Sequence, residues 1–294
     1  MDDQLFQLIR TTIDDGTCLA FLGAGASAGY TDASGSEVPG LPVGGQLSRR
    51  IAQSCGYQNG SPTDLARVAE YFLYTKSGNR QLLVQELQEH LPPCDPRPIH
   101  TVLAQLPQIR IAISSNYDTL LEREVERYGR PLTRHVHNPK NSKTGHFEGP
   151  FDGEEFAGGR LVLHKMHGTL EEPDSVVITQ SDYIRYLTDL TDPDRGIPDY
   201  FRKWMLPRRH LLFLGYSLND WNFQVIWEGV LTKQGGSRVG LESYAIVSDA
   251  SAFDRNYWAR RNVTVIEEDL TAFAVRLADA YNLEIPSLGI DRRC

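Results

Sequence analysis

The chain has 294 residues with ordinary shares of apolar and charged residues, so it is long enough to bury a sizeable core. A formal net charge of −8 argues against a general nucleic-acid-binding surface, and no apolar run reaches the length of a membrane-spanning helix. The acidic start, Met1–Gln4, is unlike a secretory signal, and the four cysteines form no Cys-x-x-Cys pair. These features predict a cytoplasmic protein with reduced cysteines and no structural zinc.

Along the chain, helical periodicity alternates with short apolar runs that are typical of buried strands. The first predicted helix covers Asp3–Asp14 and the first strand Cys18–Leu22. A Gly- and Pro-rich stretch at residues 30–45 predicts a loop, and three helices follow at about 46–55, 63–74 and 80–90. The remaining predicted strands are Arg110–Ile113, Leu161–Leu163, Leu211–Leu214, Tyr244–Val247 and Val263–Ile266. The remaining predicted helices lie at about 119–128, 182–190, 199–206, 220–230, 252–260 and 271–281.

This alternation predicts an α/β fold, a Rossmann-like doubly wound parallel sheet. The helices between the first two strands interrupt the alternation. We therefore expect one domain over residues 1–294, with a helical insertion at about 46–91 over an edge of the sheet. A polar, Gly-rich segment at about 135–159 predicts a long loop excursion.

Four short motifs stand where predicted strands end. They are Phe21–Ser27 (FLGAGAS), Ser114–Asp118 (SSNYD), His164–Gly168 (HKMHG) and Leu214–Ser217 (LGYS). Because parallel strands place their carboxyl ends along one edge of a sheet, these residues are expected to converge. Their convergence predicts a nucleotide site with catalytic side chains.

The first motif fits the pattern Gly-x-Gly-x-x-Gly/Ala over Gly23–Ala28, directly after a strand. Glycine lets the backbone turn tightly and approach a pyrophosphate, whose charge favours a helix N-terminus. The acid-bearing second strand of an ordinary dinucleotide fold is missing about 20 residues further on, and so is the Gly-Lys-Ser/Thr of a P-loop. The motif therefore argues against a standard dehydrogenase and a P-loop ATPase or GTPase. Taken alone, it also fits a tight turn without a ligand.

Together the motifs resemble the sirtuin superfamily, and most of all the SIR2-like NADase domains of bacterial antiphage defence proteins. Gly23–Ser27 is similar to the first cofactor motif of that family, and Gly40–Pro42 to the start of its cofactor loop. Ser115–Asp118 resembles the family's Asn-x-Asp motif, and His167-Gly168 its catalytic His-Gly. Gly215–Ser217 resembles the late Gly-x-Ser motif.

The resemblance implies NAD⁺ as the substrate and assigns a role to each matching residue. Asn116 and His167 would be catalytic, and Asp118 would hold the nicotinamide carboxamide. The implied NAD⁺-binding residues are Gly23, Ala24, Gly25, Ser27, Asp118, Gly215 and Ser217. No metal is expected, because no cysteine lies between His167 and Gly215, where deacylating sirtuins carry a four-cysteine zinc module.

The residues themselves leave simpler interpretations open. Asn116 and Asp118 are favoured helix N-caps and could serve the helix that starts near residue 119. His167 could be an ordinary strand-end histidine, with His164 as a competing candidate inside the strand. Three loop histidines (His135, His137, His146) show no metal-ligand spacing. The four tryptophans (Trp204, Trp221, Trp227, Trp258) favour core or subunit contacts over base stacking.

The leading hypothesis is an NAD⁺ glycohydrolase that releases nicotinamide and ADP-ribose, as a regulated effector of antiphage defence by NAD⁺ depletion. Asn116 would orient a ribose hydroxyl or the attacking water, and His167 would accept a proton. An NAD⁺-dependent protein deacylase is one alternative, and a non-catalytic NAD⁺ or ADP-ribose sensor or scaffold is another. The resemblance further implies a homo-oligomer under a regulatory partner such as a HerA-like ATPase or an Argonaute-type protein, without direct contact with nucleic acid or membrane.

Overall fold

A computed structural model of the chain describes residues 1–32, 34–58, 60–138, 158–190, 209–218, 224, 227 and 241–288. The strands, in chain order, are β1 Cys18–Leu22, β2 Tyr30–Thr31, β3 Glu37–Val38, β4 Ile111–Ser114, β5 Leu132–Val136, β6 Leu161–Lys165, β7 His210–Leu214, β8 Ser243–Val247 and β9 Val263–Glu267. The helices are α1 Asp3–Asp14, α2 Gly44–Cys55, α3 Leu65–Thr75, α4 Arg80–His90, α5 Pro98–Gln105, α6 Leu120–Arg127, α7 Gln180–Leu190, α8 Ala252–Ala259 and α9 Leu270–Tyr281.

Seven of the strands form one parallel sheet in the order β5-β6-β4-β1-β7-β8-β9. β1 lies at its centre, with β4 on one side and β7 on the other. From β1 the chain adds β4 and then the edge strand β5, returns to place β6 between them, and crosses between β6 and β7 to the other side of β1. This reversal creates a crevice at the carboxyl ends of the central strands, where open α/β sheets bind ligands.

Alternating side chains of the strands bury both faces of the sheet. In β1, Cys18, Ala20 and Leu22 join the apolar cluster that contains α1, α5, α6 and α9 residues. Leu19 and Phe21 point to the other face, where residues of α7 and α8 cover them. Helices on both faces make the sheet doubly wound, and the predicted Rossmann-like α/β fold is confirmed.

The helices between β1 and β4 differ from their prediction in one respect. α2, α3 and α4 match the expected helices to within two residues and share a third apolar cluster. A fourth helix, α5, follows them in a segment where no helix was predicted. Pro98 occupies the first turn of α5, where its missing N–H leaves no intrahelical hydrogen bond unmade.

Two loop predictions also need correction. The stretch at residues 30–45 was expected to be a loop, but it contains the antiparallel pair β2 and β3 and the first residues of α2. The long loop excursion was expected to begin at residue 135, but β5 extends to Val136 and pairs with β6. Residues 139–157, which form most of that excursion, lie outside the described residues, as do the predicted helix at 199–206 and most of the one at 220–230.

The tryptophans that the structure describes are core residues. Trp227 and Trp258 are 4% and 1% exposed, and their rings lie 5.4 Å apart. These two residues therefore stabilise the fold rather than anchor a subunit interface. Trp204 and Trp221 lie outside the described residues. None of the described helices combines the length and apolar character that a membrane crossing requires.

Candidate functional site

The four sequence motifs follow four neighbouring strands. Their order along the edge of the sheet is the His-Gly motif after β6, the Asn-x-Asp motif after β4, the glycine turn after β1 and the Gly-x-Ser motif after β7. Main-chain hydrogen bonds join adjacent motifs: Ser115 donates to Leu22 O at 3.1 Å, and Gly23 donates to Leu214 O at 3.0 Å. The structure thus brings together residues that lie up to about 190 positions apart, as expected for the carboxyl edge of a parallel sheet.

The glycine turn and the Gly-x-Ser motif pack directly against each other. Gly25 N donates to Gly215 O at 2.9 Å. A Cβ atom at Gly25 would lie 2.8 Å from Gly215 O, and one at Gly215 would lie 2.2 Å from the amide nitrogen of Ala26. Gly215 also has φ +70°, a conformation that favours glycine. Packing of the two turns alone therefore accounts for these glycines.

The turn after β1 continues as a short 3-10 helix, Ala24–Ser27, instead of leading into a long α-helix. The next α-helix, α2, begins only at Gly44. In between, Leu41 N donates to Ser27 O at 2.9 Å, so the Gly40–Pro42 segment lies against the glycine turn. The buried Arg97 supports this segment, because its Nη1 donates to Pro39 O at 3.0 Å.

Asn116, Ser27 and Asp118 form a hydrogen-bonded network at the centre of the site. Asn116 Nδ2 donates to Gly23 O at 3.0 Å and to Ser27 Oγ at 3.2 Å, while Ser27 Oγ donates to Asp118 Oδ2 at 2.8 Å. Both amide hydrogens of Asn116 are thus used within the protein. The amide oxygen of Asn116 accepts no hydrogen bond from the described residues and can accept one from a ligand.

Asp118 also has the simpler role that its sequence position suggested. Its Oδ1 accepts a hydrogen bond from Leu120 N at 3.1 Å, in the first turn of α6. Asn116 makes no such contact with this helix. Asp118 thus satisfies one backbone N–H in the first turn of α6 from the position before the N-cap residue Thr119, whereas Asn116 does not cap this helix.

His167 lies just beyond β6 and is 5% exposed. Its ring packs nearly perpendicular to the rings of Tyr183 and Tyr186, at centroid distances of 5.3 and 5.6 Å. Its Nε2 is buried and has no hydrogen-bond partner among the described residues. Burial lowers the pKa of His167 to about 3, so the imidazole is neutral at neutral pH and has a nitrogen lone pair available to a ligand.

His167 belongs to a group of four histidines on the two strands at this edge of the sheet. His135 and His164 are paired residues of β5 and β6, and His137 follows β5 directly. His164 lies inside its strand, as predicted. Burial lowers the pKa of His135 and of His137 to about 4, and that of His164 well below its usual value. Within the described ranges, no set of three or more His, Cys, Asp or Glu side chains is arranged to hold a metal ion.

Lys165 also belongs to this site, although it was not among the predicted site residues. It is the last residue of β6 and is 1% exposed. Its Nζ donates to Asp118 O and lies 3.3 Å from Glu122 Oε1 on α6. The buried ammonium group thus connects the strand before His167 to the loop that carries Asn116 and Asp118. A lysine that ends a predicted buried strand was the available signal in the sequence.

Ser217 differs from the other predicted site residues because it is exposed. Its side chain makes no hydrogen bond to the described part of the chain. The neighbouring Tyr216 is buried and packs on Phe21 of β1 at a ring distance of 5.2 Å. The Gly-x-Ser motif therefore contributes one close-packed glycine, one core tyrosine and one accessible hydroxyl.

The SIR2-like domain family model matches residues 110–266, more than half of the chain. This chain belongs to the SIR2-like domain family. The matched segment includes Asn116, His167 and Gly215, while the glycine turn after β1 precedes it.

This SIR2-like chain is also similar to curated proteins named NAD(+) hydrolase ThsA. The protein from Acinetobacter baumannii is 26% identical over 73% of this chain and 39% of its own length. The protein from Enterococcus faecium is 26% identical over 76% of this chain and 41% of its own length. The protein from Bacillus cereus is 28% identical over 62% of this chain and 35% of its own length. The chain therefore spans well under half the length of these relatives.

Solved structures of Sir2 proteins are more distant. Sir2Tm bound to a propionylated peptide is 15% identical, with a TM-score of 0.47 over 95% of this chain and 99% of that one. SIR2 in complex with the inhibitor EX-527, 2′-O-acetyl-ADP-ribose and deacetylated p53 peptide is 15% identical, with a TM-score of 0.45 over 95% and 100%.

Proposed function

We propose that this SIR2-like chain hydrolyses NAD⁺ to nicotinamide and ADP-ribose. The observation that carries the proposal is the neutral, buried imidazole of His167 with its unpartnered Nε2. It follows β6, the neighbour of the strand β4 that precedes Asn116. A buried polar atom without a partner is costly for folding and is common where a ligand completes the hydrogen bonding. The similarity to proteins named NAD(+) hydrolase supports the same activity.

In this proposal the two side chains divide the chemistry. The bond between ribose C1′ and the nicotinamide nitrogen breaks, and its electron pair leaves on nicotinamide through an oxocarbenium-like transition state. A water oxygen forms the new bond to C1′ and loses one proton. His167 Nε2 takes a proton from the reacting groups, and the amide oxygen of Asn116 orients a ribose hydroxyl or the water.

The remaining predicted site residues bind the rest of NAD⁺ in the same proposal. The backbone of Gly23, Ala24 and Gly25 and the hydroxyls of Ser27 and Ser217 lie on the β1 and β7 side of Asn116, where they hold the pyrophosphate and the nearby ribose. Asp118 holds the carboxamide and keeps Ser27 in place through their hydrogen bond. Gly215 allows the two turns to approach each other.

One experiment separates this function from its two alternatives. Purified protein is incubated with NAD⁺, with and without an acetylated peptide, and the products are resolved by chromatography. Release of nicotinamide and ADP-ribose in equal amounts without peptide is the expected result. Nicotinamide release that requires the peptide and yields O-acyl-ADP-ribose would show a deacylase. Saturable NAD⁺ binding without any product would show a sensor or scaffold.

We further propose that the chain self-assembles and is controlled by a partner, because unrestrained NAD⁺ hydrolysis would deplete a cell. A HerA-like ATPase or an Argonaute-type protein is the partner that the family resemblance suggests. Light scattering over a wide concentration range tests self-assembly, and a strict monomer throughout would contradict it.

Measurement of cellular NAD⁺ during phage infection tests the defence role. The NAD⁺ concentration is expected to fall in cells that carry the parent protein and not in cells that carry a His167 variant.

A further inference from the structure

A second buried polar group lies beyond His167, at the edge of the sheet. His137 follows the edge strand β5 and is 8% exposed, and its backbone N donates to Lys165 O at 3.0 Å. Its ring packs nearly perpendicular to the ring of Tyr186 at a centroid distance of 4.8 Å. The ring of Tyr186 is therefore in contact with two imidazoles, those of His137 and His167.

All three of these side chains carry a buried polar atom that the fold does not use. His137 Nε2, His167 Nε2 and the hydroxyl of Tyr186 have no hydrogen-bond partner among the described residues. Each such atom destabilises the folded protein unless something completes its hydrogen bonding. Three unpartnered polar atoms on side chains that contact one tyrosine ring are hard to explain by folding alone, and they indicate a binding site for a small polar molecule.

The charge state of these groups limits which kind of small molecule can bind. Burial lowers the pKa of both imidazoles, to about 4 for His137 and about 3 for His167, and no described carboxylate raises either one. The tyrosine hydroxyl is neutral as well, because burial raises its pKa. Neutral donors and acceptors in a buried place favour a neutral hydroxylic molecule over an ion.

The position of the group along the sheet edge connects it with NAD⁺ hydrolysis, the proposed function on which this inference rests. The site residues run along the sheet edge from Gly215 through the glycine turn and Asn116 to His167, and His137 comes last. A ribose held at Asn116 and His167 would thus have the glycine turn on one side and His137 with Tyr186 on the other. We propose that His137, Tyr186 and His167 bind the water that attacks the ribose, and so form the acceptor pocket of the reaction.

Within this pocket the proton balance is simple. The attacking water forms the C1′–O bond and gives one proton to a neutral imidazole Nε2, while the C1′–N electron pair leaves with nicotinamide. Tyr186 holds the water through its hydroxyl, and His137 supplies a second imidazole that takes the proton or keeps the water in position. The net products are nicotinamide, ADP-ribose and one proton.

Two variants test the pocket with little change in packing. Tyr186→Phe removes one hydroxyl, and His137→Phe removes the ring nitrogens but keeps a ring against Tyr186. Each should lower kcat by roughly three- to tenfold, the factor that one hydrogen bond contributes, with KM for NAD⁺ unchanged. His137→Gln restores a polar atom near Nε2 and should recover part of the loss. Tyr244→Phe, a buried tyrosine of β8, is the matched control.

The partition between two acceptors is the more specific measurement. With methanol present, the ratio of methyl-ADP-ribose to ADP-ribose reports how well the pocket selects water, whatever the overall rate. The ratio should rise in Tyr186→Phe and His137→Phe by about the same three- to tenfold factor and stay unchanged in the control. Thermal unfolding should show that Tyr186→Phe is at least as stable as the parent, since it removes an unpartnered buried hydroxyl.

The outcomes separate the pocket from the activity. Parental kcat and partition ratio in both variants of an active enzyme would overturn the acceptor pocket and leave the hydrolase intact. A less stable Tyr186→Phe with unchanged kinetics would assign the hydroxyl to the fold instead. If the parent bound NAD⁺ but released no nicotinamide, the proposed function itself would be wrong, and the pocket with it.

Discussion

The buried histidines should make the stability of this protein strongly dependent on pH. In addition to the cluster beside the site, His100 is 1% exposed, and burial lowers its pKa to about 4. These imidazoles remain neutral in the folded chain, whereas in the unfolded chain they take up protons near pH 6.5. The unfolded state therefore binds more protons as the pH falls below about 6.5, so the free energy of unfolding must decrease.

The size of this decrease follows from the pKa difference. A pH of about 5 lies about 1.5 units below the pKa of an unfolded imidazole. The free energy of unfolding therefore falls by roughly 2 kcal/mol for each histidine that stays neutral in the folded chain. Three deeply buried ones (His100, His137, His167) together give on the order of 6 kcal/mol. This is comparable to the whole stability of a typical domain, about 5–15 kcal/mol.

Urea unfolding followed by tryptophan fluorescence between about pH 8 and pH 5 measures the effect. The unfolding midpoint should fall steeply below about pH 6.5, and His137→Phe should lose roughly 2 kcal/mol less than the parent over the same interval. A midpoint that is constant with pH, or a pH dependence that is the same in the variant, would refute the reasoning. The same pKa values predict that activity persists below pH 6.5 for as long as the chain stays folded.

Three further predictions concern single features. Lys165→Met leaves the Glu122 carboxylate buried without its ion-pair partner and should destabilise the protein by about 3–5 kcal/mol in urea unfolding. Adding Glu122→Gln should recover part of that loss. An unchanged unfolding midpoint in Lys165→Met would contradict the buried ion pair. Gly215→Ala should lower the unfolding midpoint sharply, because its Cβ would lie 2.2 Å from the amide nitrogen of Ala26, and a parental midpoint would contradict this packing. Elemental analysis of the pure protein should find no stoichiometric zinc, since no cysteine lies between His167 and Gly215, whereas one tightly bound zinc per chain would oppose that prediction.

The central sheet was predictable because its strands are buried on both faces. The central strands are short, largely apolar runs: β1, β4, β6, β7 and β8. Runs of this kind are typical of strands that a parallel sheet buries on both faces. β5 was missed because the edge strand Leu132–Val136 is partly exposed and carries polar residues. α5 was missed because its segment is rich in proline, which is unfavourable inside a helix, although Pro98 stands in a first turn where proline is accepted.

The candidate site was predictable only where a residue directly follows a strand. Asn116, Asp118 and His167 come within a few positions of a strand end, so the rule for parallel sheets places them together. The rule does not place His137 or Tyr186 at the site. His137 follows the edge strand β5, which was not predicted, and Tyr186 lies on α7. Their contact with each other, and that of Tyr186 with His167, depends on how α7 packs over the sheet, which local sequence patterns do not report.

The most direct test of the proposed hydrolase measures nicotinamide release by the parent, His167→Ala, Asn116→Ala and the double variant, together with NAD⁺ binding and folding. His90→Ala, a histidine of the outer helix α4, controls for the substitution. Each site variant should cleave NAD⁺ at least about 100-fold more slowly, His167→Ala should bind it nearly normally, and the double variant should be little slower than the worse single one, because both residues serve one transition state. Parental turnover in either well-folded single variant would remove that residue from the mechanism, and parental turnover in both would contradict the proposed site.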